Sequence, residues 1–133
     1  MNPEPRRYQA RITGFEYGIT TDGKGRETRD GWNMEWSWLD TDFDGFHPPQ
    51  CLLQEAKADF DQFLEINDDP DEDDKPRPYF KGFSKMANTI KEQSAKVRAN
   101  PPSQLMWYFG TPRAREYMLP TLNAAGVPSV YRP

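Results

Sequence analysis

The sequence predicts one α/β domain with a mixed central β-sheet. Segments of strand character fill the first half of the chain, and a succession of helix, strand, helix and strand fills the second, an order that packs helices against a sheet. The apolar period changes to match: Trp32, Met34, Trp36 and Trp38 recur every second residue, whereas Phe83, Met86, Ile90 and Val97 recur at helical spacing. At 133 residues the chain suits one core and is too short for two ordinary domains. Four Trp, six Tyr and eight Phe supply the apolar surface of that core despite 29% charged residues.

The elements follow in order. Residues 1–7 carry two prolines and no periodicity, so they read as a linker or boundary segment before a single domain over 8–133. Thr20 to Gly31 is polar and Gly-rich, and reads as a loop. Trp32 to Leu39 reads as the first strand and Thr41 to Phe46, with Gly45 at its end, as the second. His47-Pro48-Pro49-Gln50 turns the chain, because neither proline can continue a ladder. Cys51 to Ala58 is the third strand, apolar at its start and charged at its end, as expected of a central strand whose tip opens into a site. Asp59 to Glu65 fits a short helical turn.

Residues 67–78 form an acidic loop, expected to be mobile, with Asp68, Asp69, Asp71, Glu72, Asp73 and Asp74. It lacks the glycine and terminal glutamate spacing of an EF-hand, so it reads as a solvated loop or a surface for a basic partner rather than a calcium site. Tyr79 to Ala99 is an amphipathic helix ending before Pro101-Pro102. Leu105 to Phe109 is a continuous apolar run, hence a buried strand. Thr111 as N-cap, Pro112 at the first helical position and Gly126 as stop frame a helix over about 112–125, with Pro120 a possible kink. Val127 to Tyr131 is the last strand.

Composition excludes several classes. No segment has the roughly 20 apolar residues of a membrane span, and the start lacks the apolar stretch of a signal peptide. One cysteine, Cys51, and one histidine, His47, permit neither an internal disulfide nor a Cys/His zinc site. Any metal must therefore sit on oxygen ligands. The net charge of −4 conceals an uneven division: residues 1–74 carry 19 acids and 7 bases, and residues 75–133 carry 10 bases and 2 acids. An acidic half able to bind a metal, facing a basic half able to grip phosphates, suits an enzyme acting on a polyanion, although solvated faces alone give the same tally.

The chemistry concentrates at the end of the third strand. Side chains alternate along a strand, so Glu55 and Lys57 share a face and the Ala56 carbonyl lies at the same edge. The turn over 47–50 can fold Asp44 back beside Glu55. Asp44, Glu55 and the Ala56 carbonyl then offer an oxygen site for Mg2+ or Mn2+, whose other positions would go to water and a phosphate oxygen. Such an ion polarises a scissile phosphate and acidifies a bound water, while Lys57 orients that water or stabilises developing negative charge. Glu35 or Asp42 could complete a second metal site or a second shell. Lys85, Lys91, Lys96 and Arg98 on the long helix would hold flanking phosphates, contacts that give position but little sequence preference.

These residues resemble the PD-(D/E)xK motif of restriction-endonuclease-like nucleases, with Phe43 standing where the motif's proline would be. More narrowly, Tyr8-Gln9, Ile12-Thr13-Gly14, Glu35-Trp36, Phe43-Asp44-Gly45, Leu52-Leu53-Gln54-Glu55-Ala56-Lys57 and Trp107-Tyr108-Phe109 resemble the Tox-REase-5 toxin domain. The resemblance implies a restriction-endonuclease-like core. It also implies a DNA-cleaving toxin at the C-terminal end of a bacterial effector. Such a toxin is made in the bacterial cytoplasm, delivered by a type VI secretion system with a carrier or chaperone into the target cell cytoplasm, and neutralised by a cognate immunity protein. On the same grounds Asp44, Glu55 and Lys57 are the catalytic and metal positions, joined by Glu35 and Gln93.

Each candidate has a plainer reading. Asp42 shares the facing of Asp44 and is the alternative ligand or a turn residue. Glu35 is a site carboxylate or a solvent-facing one, and Gln93 a site residue or a cap on the core. His47 reads as a turn residue rather than a general base, Cys51 as a small core residue, and the Trp residues as core or partner surface. An RNase of the same fold and a non-catalytic binding module are the competing functions.

Overall fold

The computed structural model describes residues 3–69 and 71–133. In chain order the elements are α1 (Pro3–Thr13), β1 (Tyr17–Thr21), β2 (Glu27–Asn33), β3 (Trp36–Trp38), β4 (Thr41–Phe43), β5 (Gly45–His47), β6 (Leu52–Lys57), β7 (Leu64–Glu65), β8 (Lys75–Pro76), α2 (Gly82–Ala99), β9 (Gln104–Phe109), α3 (Pro112–Ala124) and β10 (Ser129–Tyr131). Single 3-10 turns lie at Pro48–Gln50 and Asp61–Phe63.

The central sheet has the order β10-β9-β6-β5, with β5 antiparallel and the other pairs parallel. It is the mixed sheet expected of the α/β class. Its parallel pairs need crossovers, and α2 and α3 supply them. Both helices bury their apolar stripes on one face of the sheet. Phe83, Met86 and Ile90 from α2 and Ala114, Met118 and Leu122 from α3 meet Leu53, Leu105, Trp107 and Phe109 there. Helix α1 covers the opposite face, where the Tyr8 hydroxyl donates to the Arg132 carbonyl at 2.7 Å. Gly45 allows α1 to come close to β5, because a Cβ at that position would lie 2.6 Å from the Thr13 side chain.

Several expectations change. The linker read over 1–7 gives way from Pro3 onward, where α1 begins; residues 1 and 2 lie outside the described residues. Prolines at 3 and 5 are compatible with a helix because its first turn has no internal acceptors for their missing N–H groups. Arg6, Tyr8 and Gln9 are buried on this helix. The loop read over Thr20 to Gly31 is mostly the β1–β2 hairpin, with Asp22 closing its turn by accepting from the Lys24 and Arg26 amides. Glycine content concealed this hairpin. The strand read over Trp32 to Leu39 is divided between β2 and β3, and the one over Thr41 to Phe46 breaks at Asp44 into β4 and β5.

The β3–β4 connection is a two-residue turn at Leu39 and Asp40, both with positive φ, 51° and 61°. Glycine or asparagine is favoured in such a hairpin turn, so this one is strained. Helix α3 begins at Pro112 as expected, but its cap comes from elsewhere: the Asp61 carboxylate accepts from the Arg113 and Ala114 amides at 3.2 and 2.6 Å. The Thr111 hydroxyl accepts from the Asp61 amide instead. No helix among the described residues is long and apolar enough to cross a membrane.

Candidate active site

The β5–β6 register brings the central residues together. Gly45 pairs with Gln54 and Phe46 with Leu53, so one step further along Asp44 stands opposite Glu55. The break at Asp44 turns its side chain toward β6, where Oδ2 accepts from the Ala56 amide at 2.8 Å. The Lys57 carbonyl, by contrast, accepts from Gly110 on the β9 side at 2.8 Å. Carbonyls alternate along a strand, so the Ala56 carbonyl points toward Asp44.

Glu55 and Lys57 project to the α2 face of the sheet. Glu55 Oε2 lies 3.1 Å from Lys57 Nζ, with the glutamate side chain 8% exposed and the lysine 21%. The lysine nitrogen also sits 5.3 Å from the Trp107 ring centroid and 5.9 Å from that of Phe60, so its stem is held over aromatic faces. Such packing fixes an otherwise flexible chain.

Gln93, fully buried on α2, ties these strands to the helix. The Trp107 indole can only donate, and it donates to Gln93 Oε1 at 2.9 Å, which fixes the orientation of the amide. Gln93 Nε2 is thereby directed to Glu55 Oε1 and to the Asp42 carbonyl, both at 3.1 Å. Gln93 is therefore a positioning residue for Glu55 rather than a mere border of the apolar stripe.

Asp44, Glu55, Glu35 and Asp42 share one cavity of about 360 Å³, which Asp40, Thr41, Thr89 and Glu92 also line. Burial first, and the neighbouring Glu55 next, raise the Asp44 pKa well above the ordinary carboxylate range; Lys57 and the Ala56 amide act against this. Glu35 is raised for the same kind of reason, by desolvation of its carboxyl end and then by Asp42 and Glu55. Asp42 is exposed, and its carbonyl rather than its carboxylate is what anchors the site.

The basic residues divide. At 3.6 residues per turn, Lys85, Thr89, Glu92 and Lys96 fall within about 60° of one face of α2, so Lys85 and Lys96 flank the cavity, about 16 Å apart along the axis. Lys91 and Arg98 lie roughly 130–150° round the helix by the same geometry, and the Arg98 guanidinium donates to the Ala125 carbonyl at the end of α3. His47 is exposed at the far end of β5, and Cys51 is half-buried in a left-handed conformation closing the Pro48–Gln50 turn.

Glu92, Thr89 and Thr41 were not among the residues singled out in the sequence. A helical stripe of Lys85, Thr89, Glu92 and Lys96 beside the apolar one was the only mark of the first two. Thr41 had none.

Among the described residues no three His, Cys, Asp or Glu side chains gather closely enough to hold a metal by themselves. The donor set of Asp44, Glu55 and the Ala56 carbonyl nevertheless suits a hard divalent cation, which takes oxygen ligands and keeps several waters. Two observations agree with such an occupant. Like-charged carboxyls crowd one small cavity, and Thr41 Oγ1, which belongs to the cavity lining, is buried without a hydrogen-bond partner among the described residues.

A mixed sheet with crossover helices on one face, and Asp, Glu and Lys at the adjoining ends of β5 and β6, defines a domain of the restriction endonuclease kind. The model of restriction endonuclease fold toxin 5 (Tox-REase-5) matches residues 5–112. The chain belongs to this family of toxins. The match takes in the cavity, Lys57 and Gln93, and ends at the start of α3. No curated protein matches the chain.

Proposed function

We propose that the domain is a DNase toxin that uses Mg2+ or Mn2+ to hydrolyse phosphodiester bonds. The observation that carries this reading is the meeting of Asp44, Glu55 and Lys57 at one sheet edge, Asp44 opposite Glu55 and Lys57 Nζ 3.1 Å from the Glu55 carboxylate. Asp44, Glu55 and the Ala56 carbonyl would hold the ion, which when bound supplies Lewis acidity to a phosphate oxygen and acidifies a water.

The chain's own residues supply the rest. Gln93 and Asp42 keep Glu55 in place. Lys57, held over Trp107, presents an ammonium group where negative charge grows as water adds to phosphorus, and favours that charge in a partly desolvated site. Lys85 and Lys96 take backbone phosphates on either side of the cavity, which positions the strand without reading its sequence.

By the family's description as toxins, the reading extends to a cognate immunity protein that blocks the site in the producing cell. It further extends to delivery by a secretion system, with a carrier or chaperone, into the cytoplasm of a target cell. An RNase is the second reading, since the cavity carboxylates and the Thr89 hydroxyl suit a ribose backbone as well as a deoxyribose one. Purified domain incubated in parallel with plasmid DNA and with structured RNA decides between them. The proposal expects loss of plasmid DNA with Mg2+ or Mn2+, none with EDTA, and RNA cut more slowly.

A further inference from the structure

Deepening the nuclease reading and resting on it, we propose that Trp36, stacked on Phe46, is a shelf for an unpaired base, so that the enzyme prefers single-stranded nucleic acid to duplex. Trp36 and Phe46 lie with ring centroids 4.8 Å apart and planes at 24°, a near-parallel stack. Phe46 is partly buried against the core, and this fixes the pair, but Trp36 is 39% exposed. Trp38 packs at a tilt on Phe43 and Trp107 is fully buried, so these rings belong to the core. One face of the Trp36 indole is covered by Phe46, and the exposed remainder faces solvent beside the cavity.

The shelf is continuous with the site in both strands that build it. Trp36 follows Glu35, a cavity residue, and pairs with Phe43, another. Phe46 pairs with Leu53, two residues before Glu55 on β6, so Phe46 and Glu55 project to the same face of the sheet. An aromatic face takes a nucleobase only if that base is free of its own stack, and such stacking is favourable whatever the base. Glu55 is 6% exposed, at the bottom of a cavity at the small end of ligand-pocket sizes. A flexible strand can bend a phosphate down to it with the adjoining base laid on Trp36. A stiff duplex, whose bases stay stacked on one another, cannot do both.

The test compares one labelled oligonucleotide, single-stranded and annealed, with wild type, Trp36→Leu, Trp36→Phe and Trp32→Leu. Trp32 is also exposed but lies on the β1–β2 hairpin beside α1, away from the cavity. Cleavage is followed with Mg2+ or Mn2+, and binding by fluorescence anisotropy with Ca2+ in their place. The expected result is faster cleavage of the single strand, with Trp36→Leu lowering single-strand binding and kcat/KM at least five-fold, Trp36→Phe losing less, and Trp32→Leu unchanged. Equal or faster cutting of duplex overturns the proposal. So does unaltered single-strand binding by folded Trp36→Leu, which would leave the shelf to a protein partner. Should Trp36→Leu not fold, photo-crosslinking of wild type to a bromouracil-containing strand takes its place: a crosslink in the peptide carrying Trp36 supports the shelf, and one elsewhere overturns it. Wild type that binds single strands through Trp36 but cuts nothing keeps the shelf and removes the nuclease reading.

Discussion

The Gln93 carboxamide donates to Glu55 Oε1 at 3.1 Å, joining α2 to β6 at a glutamate buried in the sheet. The same amide nitrogen reaches the Asp42 carbonyl, and its oxygen accepts from Trp107, so a single side chain holds three otherwise separate parts of the site.

Gln93→Ala should therefore be costly for its size. It leaves the Trp107 indole, the Glu55 carboxylate and the Asp42 carbonyl short of a partner where water is scarce, and each such loss costs about 1–3 kcal/mol. A total destabilisation of about 3–4 kcal/mol by urea unfolding is expected, at the low end of the sum because Glu55 keeps Lys57 as a partner, with Gln93→Leu no better because it restores volume but none of the bonds. A change below about 0.5 kcal/mol would contradict the hub role.

Lys57→Ala should lower stability as well as activity. It leaves Glu55 buried without its ammonium partner, and because the lysine is partly exposed the cost is roughly 1–3 kcal/mol, less than for a fully buried pair. Glu55→Gln in the Lys57→Ala background should recover most of that stability and none of the activity. Non-additive melting temperatures across the four proteins are the measurement.

Asp44 sets the pH dependence. Its folded pKa lies above its ordinary 3.8, so the folded state holds a proton that the unfolded state releases, and stability falls as pH rises from about 4 through the folded value. Glu35 contributes in the same direction. Asp22, Glu27 and Asp74 are held below the ordinary range, Asp74 by the Asn67 amide and then Arg113, so their contribution is lost only at still lower pH. In EDTA the melting temperature should rise as pH drops through the raised folded Asp44 value toward about 4, then fall below about 4. Asp44→Asn, which keeps an acceptor for the Ala56 amide, should flatten that rise and remove any stabilisation by Mn2+ at neutral pH.

The strained turn gives a prediction of opposite sign. Replacing Leu39 by Asn supplies a residue that tolerates positive φ and should raise stability by about 0.5–1 kcal/mol in thermal unfolding. Leu39 is exposed and does not line the cavity, so cleavage should not change.

The parts of this molecule written by periodicity were legible in its sequence. Helix α2, the buried strand β9 and helix α3 fall close to their expected places because each carries its own apolar pattern and stops. Glu55 and Lys57 share a face because strand alternation allows nothing else. Helix α1 was missed because prolines at 3 and 5 mimic a linker, and the β1–β2 hairpin because glycines 23, 25 and 31 mimic a loop. The Asp61 cap on α3, Glu92 beside the cavity and the Gln93 hub depend on residues brought together across the fold, and no local pattern carries them. The division of the four bases of α2 into two faces was available from helix geometry, but only once the direction of the cavity was known.

The central claim is that Asp44, Glu55 and Lys57 form one hydrolytic site, and cleavage by Lys57→Ala tests it most directly. With folding verified below its melting temperature, the variant should leave plasmid and oligonucleotide intact under Mg2+ or Mn2+ conditions in which wild type cuts them and EDTA stops it. Cutting by the folded variant at the wild-type rate would contradict the site.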